Sequence, residues 1–554
     1  MEILRFDKVS FTYPTEKKAA IEDISFSLEE GSFLVICGQS GCGKSTLMKH
    51  MKKEYIPFGQ GKGQMYFYGE NIEELEAGKS SSQIGFVGQA VEEQIVTDKV
   101  WHELAFGLES LGVPSVEIQQ RIGELAEYFG ISNWFHKSVT ELSGGQKQIL
   151  NLASVMVLQP KLLVLDEPTA QLDPIGAQRF IQTLQKLNQD FGTTIVVSEQ
   201  RLEEVLPVAD QILVMHQGKM VGIGSVRECV SILKKGREQF GTELPISVGM
   251  PVPVRLYSML GGKGQCPLTV REGKKWLQQE TEKRNVSIEA TMPERTQKKD
   301  MEMAVIAKNM DFYYDRGKSV LQRFSISIPK QSIYAILGGN GSGKTTAVKI
   351  MAGVKKAKRG KVKVSGTTGY LAQNPQTIFT ETTVEEELAE VLLQEKANTS
   401  MEQRRQQVEA MLVRMELEQE REKNPFDLSG GQAQRLALGK LLLVNPDILF
   451  LDEPTKGMDA AFKKKFGEML EALQKEGKTI VLVTHDMTFC AEYATHCGLL
   501  FDGQLISSLT VRDFFCSNVF YTTPARKIAG NLFPDCITAE EVAMGICQKE
   551  TQNG

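Results

Sequence analysis

A duplicated α/β fold, each copy a largely parallel sheet flanked by helices, is what this sequence predicts, and three observations predict it. Short β-rich runs such as Phe33–Cys37, Leu162–Leu165 and Thr194–Ser198 alternate with helical stretches, the pattern of parallel strands joined by crossover helices. A glycine loop of the form G-x-x-x-x-G-K-[ST] follows an apolar strand and opens a helix at Gly38–Ser45 and again at Gly338–Thr345. The whole order of motifs then recurs once, which marks duplicated domains and not a solenoid of short repeats.

The repeat can be followed along the chain. Phe11-Thr12-Tyr13 returns as Phe312-Tyr313-Tyr314, and Gln89, after Ile84-Gly85-Phe86-Val87-Gly88, returns as Gln373 after Gly369-Tyr370-Leu371-Ala372. Leu142-Ser143-Gly144-Gly145-Gln146 returns as Leu428-Ser429-Gly430-Gly431-Gln432. Asp166-Glu167-Pro168-Thr169 returns as Asp452-Glu453-Pro454-Thr455. These pairs place one domain at 1–235 and a second at 301–517, with a polar linker at 236–300 and a tail at 518–554 too poor in apolar residues for a domain. The linker's later part, Arg271–Asp300, is dense in Lys, Arg, Glu and Gln, as expected of a solvated segment. Val116–Phe129 and Met401–Leu417 have the spacing of amphipathic helices and predict a smaller helical lobe in each half. Leu441–Val444 and Ile448–Leu451 read as a helix end followed by a buried strand, since Asn445, Pro446 and Asp447 interrupt them.

Bulk properties narrow the class. At 554 residues the chain exceeds one hydrophobic core, and 41% hydrophobic with 24% charged residues is ordinary globular composition. A net charge of −5 and a pI of about 5.9 argue against a nucleic-acid partner. Nine cysteines show neither a disulfide framework nor metal-ligand spacing, and Met1–Ser10 carries no secretory signal, so free thiols in a reducing compartment are expected. No apolar run approaches the roughly 20 residues that span a bilayer, so any work on a membrane needs other chains.

The motifs imply phosphate chemistry. Gly38, Gln39, Ser40, Gly41, Cys42 and Gly43, with Gly338, Gly339, Asn340, Gly341, Ser342 and Gly343, are expected to turn backbone N–H groups around phosphate oxygens. Lys44 and Lys344 would reach the outer phosphates, Ser45 and Thr345 would ligate Mg²⁺, and Thr46 and Thr346 complete the loops. Asp166 and Asp452 close hydrophobic strands where a carboxylate can hold Mg²⁺. Glu167 and Glu453 follow at once and face the other way, towards an attacking water.

Together with Leu-Ser-Gly-Gly-Gln, this arrangement resembles the ATP-binding-cassette ATPases over nearly all of both halves. The resemblance implies two phosphate-loop nucleotidase domains of that type, each a RecA-like α/β core with a helical subdomain, arranged as a pseudo-dimer that binds ATP and Mg²⁺. It implies crossed sites. Lys44, Ser45, Gln89, Asp166 and Glu167 would work with Ser429, Gly430, Gly431 and Gln432. Lys344, Thr345, Gln373, Asp452 and Glu453 would work with Ser143, Gly144, Gly145 and Gln146. Gln89 and Gln373 would join the Mg²⁺ ligands, Tyr13 and Tyr314 would stack on adenine, and Asp173 and Asp459 match the loop that crosses between sites. The family places a histidine six residues after Thr479, where His485 stands; the first half has Gln200 instead. An amide donates a hydrogen bond but cannot become cationic, so the second site is expected to hydrolyse ATP faster.

The segments Glu92–Leu108 and Ser198–Val205 further resemble the ATPases of energy-coupling-factor importers. That resemblance implies an ATPase at the cytoplasmic face of the membrane, with an integral-membrane coupling subunit and a substrate-binding membrane subunit as partners and no nucleic acid. Glu92, Glu93 and Glu103, with Glu385, Glu386 and Glu387, are expected to line a groove for the coupling subunit. A soluble tandem ATPase acting on ribosomes or DNA, and a tandem ATPase of a sugar-type importer, are the alternatives.

Overall fold

The computed structural model describes residues 1–14, 16–284, 302–314, 319–395 and 400–553. They divide into two compact units, Met1–Gly273 and Lys274–Gly554.

In the first unit a six-stranded sheet runs in the order Lys219–Ser225, Gln211–His216, Phe33–Gly38, Thr194–Ser198, Leu162–Asp166, Ile84–Val87. The five strands from Gln211–His216 to Ile84–Val87 are parallel, and Lys219–Ser225 returns antiparallel as a hairpin. All six residues of Phe33–Gly38 and all five of Leu162–Asp166 are buried, because the sheet is covered on both faces; on one of them Leu34, Ile36, Leu162 and Val164 pack with Leu47, Met48 and residues of a second sheet. The order reverses around Phe33–Gly38, and the ends of strands beside such a switch point form a crevice. A second, antiparallel sheet of Ile21–Glu29, Glu2–Thr12, Gln60–Phe67 and Glu70–Asn71 packs its inward residues, including Ile24, Phe26 and Leu28, into the core. Helices Val100–Ser110, Ser115–Tyr128 and Gly144–Met156 form the expected lobe around Leu104, Leu108, Ile122 and Leu150.

The second unit repeats this plan. Its large sheet runs Thr368–Leu371, Ile448–Asp452, Thr479–Val483, Ile333–Leu337, His496–Phe501, Gln504–Thr510, and its lobe is built from Val384–Glu395, Met401–Met415 and Gly430–Val444. Helix Met401–Met415 stops short of the expected Leu417 because Glu416 turns left-handed, at φ 55°, to cap it. Helix Gly430–Val444 ends on Asn445 in the same conformation before the buried strand Ile448–Asp452.

The linker and tail expectations need correction. Residues 285–300 and residue 301 lie outside the described residues, but 236–284 is folded. Helices Val252–Met259 and Val270–Lys283 bury Val254, Leu256, Tyr257, Trp276 and Leu277. In the tail, helices Pro524–Ala529 and Ala539–Asn553 bury Ile528, Val542 and Ile546. In Val270–Lys283 and Ala539–Asn553 the apolar residues are sparse but fall on one face of the helix, which average polarity conceals, whereas Val252–Met259 is a short apolar run buried nearly all round.

The two segments are a further repeat. Thr269 Oγ1 accepts the Glu272 N–H and Thr538 Oγ1 the Glu541 N–H, at 3.1 and 3.2 Å, while Glu272 and Glu541 accept the N–H groups of Leu268 and Ile537. Arg227 grips Glu272 through two hydrogen bonds, at 3.0 and 3.1 Å, and Arg512 donates to Glu541 at 2.6 Å. The same guanidinium groups hold the carbonyls of Cys266 and Asp535. Thr538→Ala removes the cap of the last helix and is expected to lower the stability of the second unit by about 1 kcal/mol, read as a shift of the denaturant midpoint at constant slope.

Candidate functional site

The glycine loops leave the central strands Phe33–Gly38 and Ile333–Leu337 and enter helices Lys44–Lys49 and Lys344–Met351. Gly43 and Gly343 begin those helices with φ of 100° and 102°, and a Cβ on Gly43 would sit 2.3 Å from the Ala20 carbonyl oxygen. Only glycine fits there. The ammonium groups of Lys44 and Lys344 are buried and donate to loop carbonyls: Gly38 O at 2.9 Å and Gln39 O at 3.2 Å in the first unit, Gly338 O at 2.9 Å and Gly339 O at 3.0 Å in the second. Cys42 and Ser342 reach the loop through their backbone alone. Their side chains turn back under it, within 3 Å of where a Cβ on Gly38 or Gly338 would stand, and burial pushes the Cys42 thiol up.

Asp166 and Asp452 end the strands beside the loops, and the glutamates after them take left-handed backbone, φ 46° for Glu167 and 52° for Glu453. Such a conformation in a residue with a Cβ persists only where its surroundings enforce it. The enforcement is visible: the Glu167 N–H is held by Ser198 and the Glu453 N–H by Val483 O. Around the Glu167 carboxylate converge Gln200 Nε2 at 2.7 Å, Gln89 Nε2 at 3.2 Å and Lys44 Nζ at 3.8 Å. Gln200 Nε2 also lies 3.4 Å from Ser40 Oγ. In the second unit His485 Nε2 lies 3.0 Å from Glu453 Oε1; Gln89 and Gln373 are both exposed. The structure therefore draws together Lys44, Gln89, Glu167 and Gln200 in one unit and Glu453 with His485 in the other.

The aspartates are supported differently. Ser198 Oγ donates to Asp166 Oδ1 at 2.6 Å. Asp452 is approached by Thr345 Oγ1 at 3.0 Å and Tyr370 OH at 3.3 Å, and burial raises its carboxyl above the usual range. The equivalent positions carry Val483 in the second half and Phe86 in the first, so each half lacks the other's hydroxyl. Ser198 and Tyr370 were not recognised from sequence. Both lie in apolar strands, and only the register of neighbouring strands brings them to the aspartates.

Tyr13 OH and Tyr314 OH lie 3.1 and 3.2 Å from Thr46 and Thr346 Oγ1, beside the loops, and Lys355 Nζ stands 4.3 Å from the Tyr314 ring centre. Ser143 and Ser429 are N-caps of helices Gly144–Met156 and Gly430–Val444, each closing a capping box with Gln146 or Gln432. This leaves the N–H groups of Gly144, Gly145, Gly430 and Gly431 in a first helical turn, where anions are favoured. Asp173 and Asp459 cap helices Pro174–Phe191 and Ala460–Lys475.

Two of the six acidic groove residues are corrected. Glu103 and Glu387 are buried and hold the loops before their helices: Glu103 accepts the N–H groups of Val96 and Thr97, and Glu387 those of Thr380 and Glu381. Glu387 is further ion-paired with the buried Lys440. A carboxylate near a helix start was legible in the sequence; its burial was not.

The residues fit a magnesium nucleotide. Backbone N–H groups and a buried ammonium form a cradle for phosphates, and Thr345 Oγ1 beside Asp452 offers hard oxygen donors of the kind Mg²⁺ takes when phosphates supply other ligands. Among the described residues no group of three or more His, Cys, Asp or Glu could hold a metal alone.

Fold and site together define a nucleotide-binding protein with two phosphate-loop domains. A family model described as ABC transporter matches residues 21–170 and 321–456. A Bacillus cereus protein provisionally named an ABC transporter ATP-binding protein is 39% identical over 97% of this chain and 96% of its own length. A Bacillus subtilis protein provisionally named the HMP/thiamine import ATP-binding protein YkoD is 30% identical over 92% of this chain and 93% of its own. Among solved structures, the archaeal ribosome recycling factor aABCE1, in complex with the stalk protein aP1, aligns over 92% of this chain and 91% of its own, with a TM-score of 0.59 and 20% identity; that likeness concerns the fold alone. The chain belongs to the ABC transporter ATP-binding family, and its two cassettes are those of an ABC ATPase.

Proposed function

We propose that this chain is the ATP-hydrolysing motor subunit of an importer of the energy-coupling-factor type, driving uptake of a vitamin, metal ion or other small solute through separate membrane subunits. The observation that carries the reading is the exposure of large apolar side chains in the segment that follows Gln89 in the chain: Val96 is 66% exposed, and Trp101 and Phe106 are each 42% exposed. Exposed large apolar side chains of this kind are what a docking partner would cover. Among the described residues no helix is long and apolar enough to cross a membrane, so the membrane path would belong to other chains. The import function in the name of the Bacillus subtilis relative agrees with this reading.

In this reading Lys44 and Lys344 hold the outer phosphates, and Glu167 and Glu453 accept the proton of the attacking water. Bound Mg²⁺ would supply charge neutralisation for the transferring phosphoryl group, held through Asp166 with Ser45 and Asp452 with Thr345, with Gln89 and Gln373 beside it. Gln200 and His485 orient the two glutamates and reach for the terminal phosphate. The capping serines Ser143 and Ser429 fix helix N-termini that add backbone donors. Catalysis here is mainly positioning and electrostatic stabilisation.

The test is recovery of partners. Tagged protein carrying Glu167→Gln and Glu453→Gln, taken from native membranes with ATP, is expected to bring down a small polytopic membrane protein and a substrate-binding membrane protein. Ribosomes or nucleic acid without a membrane partner would overturn the transport reading.

A further inference from the structure

Glu199 is a carboxylate that the proposed reaction does not use, yet it is buried 98% deep in the first unit, with 2% of its surface exposed. Such burial is unfavourable for a charge unless specific groups compensate, and burial pushes its carboxyl up to about 7. Its Oε1 accepts the backbone N–H of Thr169 at 3.0 Å, while its own N–H is held by Ile36 O of the central strand.

Thr169 ends the turn Glu167-Pro168-Thr169, whose first residue is the left-handed glutamate. Three consecutive residues grip that turn at three points. Ser198 Oγ donates to Asp166 and receives the Glu167 N–H, Glu199 receives the Thr169 N–H, and Gln200 Nε2 donates to the Glu167 carboxylate. Strand Thr194–Ser198 is in register with Leu162–Asp166, Asp166 opposite Ser198, so the grip is anchored in the sheet. The second unit does this with less: Val483 has no side-chain donor, and Thr484 meets Thr455 only through a 3.4 Å hydroxyl contact.

We infer that Glu199 is a positioning residue of the first site: as the hydrogen-bond acceptor of Thr169 N–H, it clamps the turn that aims Glu167 at the attacking water. The inference rests on Glu167 being the base of that site. A left-handed residue relaxes when its turn is released, and misplacing a reacting group by an ångström costs rate out of proportion to binding.

The test uses the full chain with the second site silenced by Glu453→Gln, so that turnover reports the first site, and adds Glu199→Ala, Glu199→Gln or Glu167→Gln, with steady-state ATP hydrolysis and thermal melting for each. Glu199→Ala is expected to lower kcat at least fivefold with KM for ATP changed less than twofold. Glu199→Gln keeps an acceptor oxygen and is expected to recover at least half of the lost rate at an unchanged melting temperature. Against that Glu453→Gln background, an unchanged kcat on adding Glu199→Ala, Gln no better than Ala, or a KM rise matching the kcat loss would each overturn the clamp. If Glu167→Gln itself leaves turnover unchanged, the assignment of the base fails instead.

Discussion

Glu453→Gln is expected to reduce ATP turnover at the second site by about 10²–10⁴-fold, the usual contribution of a positioned general base, while leaving nucleotide affinity nearly unchanged. The glutamine keeps the volume and a hydrogen-bonding oxygen but cannot accept the proton of the attacking water. Its neighbour His485, 3.0 Å away, would still reach the terminal phosphate, so binding survives the substitution. The same change at Glu167, where Gln200 replaces the histidine, is expected to remove a smaller share of total turnover, since an amide cannot share positive charge with the developing transition state. Single-turnover hydrolysis of both variants, with nucleotide binding measured in parallel, checks this. Equal losses from the two variants would remove the asymmetry between the sites, and wild-type turnover in Glu453→Gln would remove the base.

The second large effect concerns folding. Lys440→Met is expected to destabilise the second unit by about 3–5 kcal/mol, because it strands a buried charge. The Glu387 side chain has no exposed surface, and Lys440 is its ion-pair partner. Lys440 also donates to the Ile378 carbonyl and to Glu390, tying the helical lobe to the segment after Gln373. Pairing the change with Glu387→Gln removes the stranded charge and keeps an oxygen for the Thr380 and Glu381 N–H groups, so the double variant is expected to recover most of the loss. Urea unfolding checks it: one of two transitions should move in the single variant and largely return in the double. A single variant as stable as wild type would show that Glu387 is stable without its partner.

The same two residues show where sequence reading stops. The glycine loops, the Asp-Glu pairs and the Leu-Ser-Gly-Gly-Gln segments were legible because their chemistry is local: a tight turn demands glycine, and a cap demands serine at a helix start. The strands around them were legible because burial on both faces leaves a run of Val, Ile and Leu. Glu387 looked like one more acid in a helical first turn, which the helix dipole favours in any setting. Lys440 lies 53 residues further on, and nothing in either stretch announces the pair.

The tail and the segment after 235 were misjudged for a related reason. In Val270–Lys283 and Ala539–Asn553 the apolar residues are few, and only when the helices place them on one face, with Arg227 and Arg512 gripping Glu272 and Glu541, do they form a packed repeat. Sequence by itself determined the duplicated α/β plan, both phosphate loops and the glutamates that follow the strands, since each depends on neighbours a few residues away. Tertiary structure alone decided that Ser198 and Tyr370 support the two aspartates, that Glu199 holds the turn behind Glu167, and that Glu103 and Glu387 are buried. Those roles depend on strand register and burial, which bring together residues far apart in the chain.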